Sequence, residues 1–288
     1  MKTPKFPGQT QPARARSVGA WLPVVATLLP LGCGSSTQQQ PTVVATHERS
    51  LQVVHTLLEH AAANSRNLRR PEQGSESLEQ QLRGRQGDER TQLLRQLAVA
   101  HLYEAEGEAD ARQARKHYRQ ASRRASSAAQ RLSDPYEVDE MAFISVWVAW
   151  RQELAQAARI AERFAKQHRT ARELNTLAWL LQGEASFTRK RFREAERSYR
   201  YVISMMETPL YALALYRTAE CYEQLGREAD ADQARDELIQ FGCATDARRI
   251  SDELLVNTAA ARRVKLVETR EGQLFPARCA PKPKPQAS

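Results

Sequence analysis

Glycine and proline are scarce in this chain, at 12 and 13 of 288 residues, and aromatic residues make up only 7%. That scarcity argues against an all-β sandwich, whose frequent tight turns draw on glycine and proline and whose strands draw on aromatics. Cysteine is equally sparse: Cys33, Cys221, Cys243 and Cys279 form no CxxC pair, so no zinc-ligand spacing is present. The familiar catalytic motifs are missing too. His47, His55, His60, His101, His117 and His168 make no HExxH, and there is no GxSxG, no GxxxxGK[ST] and no GxGxxG following a strand. The expectation is a non-enzyme with no catalytic residue, no metal ligand, no cofactor and no small-molecule substrate.

What the chain does contain is Ala, Leu, Arg, Glu and Gln in long stretches, the residues of highest helix propensity. With 41% hydrophobic and 27% charged residues it has the balance of a folded protein. Its net charge of +9 shrinks once the leader is set aside, because Lys2, Lys5, Arg14 and Arg16 stand where there are no acids. The remaining surplus, about five, is spread over helices with interleaved glutamates, which is a solvated surface and not a nucleic-acid stripe.

The first segment sets the expected compartment. Residues 1–16 are basic and polar, and residues 17–32 (SVGAWLPVVATLLPLG) are apolar. Sixteen residues interrupted by Pro23 and Pro30 fall short of the ~20 that span a membrane, and the order basic, apolar, small reads as a secretory leader. The run Leu29-Pro30-Leu31-Gly32-Cys33 resembles a bacterial lipoprotein processing site, with Pro30 in place of the usual aliphatic residue. The resemblance implies cleavage before Cys33, lipidation of that cysteine and, with Gly34 following instead of aspartate, retention on the periplasmic face of the outer membrane. Residues 33–45 then read as a flexible tether.

Helical periodicity runs from about residue 46 to 265. Val54, Leu57, Leu58 and Ala61 form one stripe, and Tyr118, Ala121, Ala125, Ala128 and Leu132 form another. Asp88 reads as a helix cap, Gly107 as a stop, Asp134-Pro135 as a start, Thr170–Glu173 as a capping box, and Gly226 and Gly242 as terminators. Residues 69–90 read as a polar loop or short helix, and no segment reads as a strand.

Residues 176–209 carry Trp179, Gly183, Ala195, Tyr199 and Pro209, which resemble the tetratricopeptide repeat. Similar units are Ala100, Tyr103, Gly107, Ala114, Tyr118 and Ala121; then Leu215, Ala219, Tyr222 and Gly226 with Ala231 or Ala234; and, more faintly, Val146, Ala149, Ala158 and Ala165. The expected fold is all-α, an array of helical hairpins. Its expected divisions are an N-terminal helix and polar loop at 46–92, repeats at 93–244, a capping helix at 245–265 and a basic, proline-spaced, unpacked tail at 266–288.

The resemblance also implies a binding groove lined by the first helix of each unit. It places His101 and Glu104 there, then Phe143, Trp147 and Trp150, then Glu184 and Phe187, then Tyr216, Glu220 and Glu223. An acidic and aromatic groove suits a protein segment carrying Arg or Lys beside apolar anchors. The expected partners are an envelope protein, as for small scaffold or assembly-factor lipoproteins, and the membrane through the lipid. A cell-wall or surface-polysaccharide ligand is the alternative. Cys221 reads as a small core residue, and Cys243 with Cys279 as a disulfide pinning the tail.

Overall fold

The computed structural model describes residues 56–205, 210–244, 248–268 and 274–279. The leader, Cys33 and the tether lie outside the described residues. The described residues are mostly helical: α1 (56–63), α2 (Ser75–Leu82), α3 (Gly87–Gly107), α4 (Ala111–Ala129), α5 (Pro135–Arg151), α6 (Ala157–Gln167), α7 (Arg172–Thr188), α8 (Phe192–Ser204), α9 (Tyr211–Gln224), α10 (Glu228–Ala244) and α11 (Arg248–Ala261). A small antiparallel pair, β1 (Leu266–Glu268) and β2 (Leu274–Pro276), is followed by a single 3-10 turn at Ala277–Cys279. Within the segment expected to hang free, the described residues 266–268 and 274–279 instead pack back, with β2 against α11 and the turn against α10.

From α2 to α11 each helix packs on the next, and alternate helices also meet, α3 with α5, α5 with α7 and α9 with α11. The sequence explains why. Helices α4 and α6 each bury one stripe, Tyr118, Ala121, Ala125 and Ala128 in the first and Ala157, Ala161, Phe164 and Ala165 in the second. Such helices lie on an outside layer. Helices α5 and α7 are apolar around most of their circumference, and α5 buries nine consecutive-turn residues from Asp139 to Ala149. A helix of that kind needs neighbours on several sides, and these have them.

Several local signals act as read. Asp134 caps α5, accepting the Tyr136 N–H at 2.9 Å, with Pro135 at the first helical position. Gly226, at φ +70°, closes α9 in the left-handed conformation. Others do not. Asp88 lies inside the first turn of α3, whose cap residue is Gln86. The Thr170 side chain does not cap α7; instead the Asp139 carboxylate of α5 accepts the Thr170 and Ala171 N–H groups at 2.8 and 3.0 Å. A tertiary contact has replaced the local cap. Gly242 does not end α10 but sits within it, where an added Cβ would lie 2.3 Å from a Leu255 methyl of α11.

Gly183 lies at the close approach of α7 and α8. A Cβ there would lie 2.4–2.9 Å from three atoms of the buried Tyr199 ring, so only glycine lets α7 and α8 approach this closely. Gly107 has no such neighbour within 4 Å. Gly183→Ala should therefore lower stability by about 1–3 kcal/mol through overpacking, whereas Gly107→Ala should leave the urea midpoint within error or raise it. Equal effects of the two substitutions would contradict the close-approach reading.

Candidate functional site

The groove residues fall into three groups. Phe143 and Trp147 are core: they are 2% and 0% exposed, against an expectation of surface aromatics. Phe143 packs edge-on against Phe164 of α6, and the Trp147 indole donates to Glu106 of α3 at 2.7 Å. Both fill seams between helices, because α5 is enclosed by α3, α4, α6 and α7. Trp150, Phe187 and Tyr216 are half-buried. Trp150 sits edge-on to Trp147, and Phe187 lies edge-on to Phe192 with the Arg217 guanidinium 5.3 Å above its ring.

The glutamates form the third group, and none presents a bare charge. Glu184 accepts two hydrogen bonds from Arg217, at 2.9 and 3.0 Å, and one from the Tyr199 hydroxyl at 2.8 Å. Arg217 also holds Glu220 at 2.7 Å, and Arg235 of α10 pairs with Glu223. The expected acidic groove is thus partly neutralised by arginines of the same chain, two guanidinium groups standing against three carboxylates. The pairs that matter most are not local in sequence: Arg217 lies thirty-three residues after Glu184 and Arg235 twelve residues after Glu223, and only Arg217–Glu220 has helical i,i+3 spacing.

A second cluster repeats the first. Glu106 of α3, with a side chain only 6% exposed, accepts from the Tyr118 hydroxyl of α4 at 2.6 Å, from Trp147, and from Arg151 of α5 at 3.1 Å. In both clusters a carboxylate near the end of one helix takes a tyrosine from the following helix and an arginine from the one after. Tyr118 and Tyr199 are driven above their ordinary pKa by burial and by the adjoining carboxylate. Glu140, fully buried, holds the chain after α1, accepting from the Ser65 hydroxyl at 2.7 Å and from the Asn67 side chain at 2.5 Å.

One arrangement was invisible along the sequence. His101 and Glu104 occupy one face of α3, and His117 reaches them from α4. Their ligating atoms converge within 4.8 Å of one another. Spacing searches for HExxH or CxxC miss such a set because its members come from two helices. Cys221 is a free, buried thiol, pushed up to about 12 by burial and so unreactive. Cys279 is disulfide-bonded, and its sulfur lies 3.9 Å from the Ile239 carbonyl of α10, the helix that carries Cys243. The Cys243 side chain lies outside the described residues.

Two predictions follow from the clusters. Trp147→Ala should lower stability by about 3–5 kcal/mol, the range for truncating a buried aromatic, which chemical denaturation would read directly. A change under 0.5 kcal/mol, the ordinary range for a surface position, would place this side chain at the surface after all. The raised tyrosines set an alkaline limit. Each keeps its proton in the fold above the pH where the unfolded chain releases it, so their stabilisation is complete below about pH 10 and is lost progressively as pH rises from there toward the raised native value. Tyr118→Phe and Tyr199→Phe should each flatten the fall of the urea midpoint between about pH 9.5 and 11. An unchanged slope would contradict the assignment.

No protein-family model matches this chain, and no curated protein sequence or solved structure matches it either.

Proposed function

We propose that this chain is a lipid-anchored scaffold of the bacterial envelope, in which an array of tetratricopeptide-like hairpins binds a segment of another envelope protein. The observation that carries the reading is the regular alternation of helices buried on most sides with helices buried along one stripe, each packed on the next. Stacked hairpins need that order, and stacked hairpins chiefly serve binding. The leader pattern ending in Gly32-Cys33 supplies the anchor. Confinement to a membrane raises the effective concentration of a modest affinity.

The recognition chemistry differs from a plain acidic groove. Since Glu184, Glu220 and Glu223 are already paired with Arg217 and Arg235, unpaired acid is not what draws a partner in. The half-buried aromatics Trp150, Phe187 and Tyr216 remain as apolar anchor points, beside Arg151 and Arg217. Aromatic and arginine side chains together are the composition of binding hot spots.

Cross-linked capture from native membranes tests the proposal, with Trp150→Ala/Phe187→Ala/Tyr216→Ala as the comparison and circular dichroism to establish that the triple variant is folded. One envelope protein retained by the parent and lost by the variant is the expected result. Sedimentation of the parent with purified cell wall and no captured protein would overturn it in favour of a wall ligand. Cys33→Ser should move the chain from the membrane to the soluble periplasmic fraction; retention in the membrane would contradict the lipid anchor.

A further inference from the structure

We infer that His101, Glu104 and His117 form a binding site for a divalent metal ion of the zinc class, held between α3 and α4. Three donor atoms define it. The Nδ1 atoms of His101 and His117 are 3.3 Å apart, and Glu104 Oε2 lies 3.3 Å from the first and 2.9 Å from the second. Zinc bonds to imidazole nitrogen and carboxylate oxygen run to about 2.0–2.2 Å, so two ligands of a tetrahedral ion are separated by roughly 3.3 Å. The triangle already has the dimensions of one face of that tetrahedron. An ion can cap it with little movement of any ligand.

The surroundings are those of ligands held in place. Glu104 presents Oε2 to the histidines because its other oxygen, Oε1, accepts the Ser75 N–H of α2 at 2.8 Å. Burial raises the Glu104 pKa, but the Ser75 hydrogen bonds and the two histidines outweigh it and hold the carboxyl below its ordinary value. His101 is 5% exposed, and its Nε2 is buried without a hydrogen-bond partner. Binding a metal through Nδ1 fixes the proton on Nε2. That atom faces Glu79 Oε1 at 3.7 Å, and Arg124 steadies the same oxygen at 3.2 Å. The 3.7 Å separation from Glu79 is too long for a hydrogen bond, and closing it when the ion binds would give the carboxylate support usual behind a ligating histidine.

With a proton on neither Nδ1, three lone pairs face one another, and a cation is the group that satisfies all three at once. Two imidazoles and a carboxylate select borderline metals over magnesium or calcium, which prefer all-oxygen shells. Three protein ligands leave one coordination position for water. His117, a quarter exposed, gives the ion its route in from solvent. Once bound, the ion ties α3 to α4 and, through Glu104 and Glu79, to α2, so it stabilises the first hairpin by mass action.

The test is a titration of the untagged full-length chain, stripped with chelator and kept in detergent, with Co2+ followed by visible absorption and then displaced by Zn2+. Saturable binding of one ion per chain, with the absorption intensity of a tetrahedral centre, is expected. Glu79→Gln should weaken it by about 10–100-fold, the usual effect of losing an outer partner, and His117→Ala and Glu104→Gln should each weaken it further. Circular dichroism establishes that each variant is folded. A second measurement needs no variant: Zn2+ should protect the quarter-exposed His117, but not His168, from acylation by diethyl pyrocarbonate in the parent protein. Absence of saturable binding, binding unchanged in folded His117→Ala, or equal acylation with and without Zn2+ would each overturn the site.

Discussion

Carboxylates placed inside an apolar helix stack must find donors, and that constraint organises the described part of this protein. Glu106, Asp139, Glu140 and Glu184 all sit on helices that are otherwise largely buried. An ionised group at such a position is strongly destabilising unless it is paired and hydrogen-bonded. Each therefore draws donors from other elements. Glu106 takes them from α4 and α5, and Glu184 from α8 and α9. Asp139 serves the start of α7, and Glu140 the chain after α1. Hydrophobic burial favours any dense packing of these helices, whereas the carboxylates accept only the packing that brings their partners within reach.

The same constraint shapes the surface left for recognition. Arginines that might have faced a partner are committed to glutamates of the same chain, as Arg217 is to Glu184 and Glu220. The pairing reduces the negative charge of the face where Phe187 and Tyr216 stand and places a guanidinium over the Phe187 ring. In the proposed groove, recognition would rest on apolar anchoring and on oriented arginine more than on a field of one sign. In the first hairpin the balance differs. The Glu104 carboxylate meets two histidines instead of an arginine, and imidazoles, unlike guanidinium, can exchange a proton for a metal ion.

How much was legible along the chain depends on the range of the interaction. Helix starts and stops governed by their own neighbours, such as Asp134-Pro135 and Gly226, are readable because the cap and the capped amide lie within three residues. Gly183 and Tyr199 are readable as part of a repeat, and their close approach gives that spacing its physical cause. The cap of α7 is not readable, since its acceptor is Asp139, more than thirty residues earlier on another helix. Gly242 misleads for a related reason. Glycine ends a helix or admits a neighbour, and only the position of Leu255 tells which. Trp147 and Trp150, three residues apart, share the same local signal, yet one is core and the other half-buried.

The sequence by itself determined the predominantly helical character, the helix ends set by their own neighbours and the expectation of an exported, lipid-anchored chain, because propensity, periodicity and leader patterns act over a few residues. Only the tertiary structure decided which aromatics are core, that the groove glutamates are paired with arginines, that β2 and the turn after it pack on α11 and α10, and that two histidines and a glutamate converge. Those outcomes depend on pairing between side chains on different helices, and no local pattern carries the register in which one helix meets another.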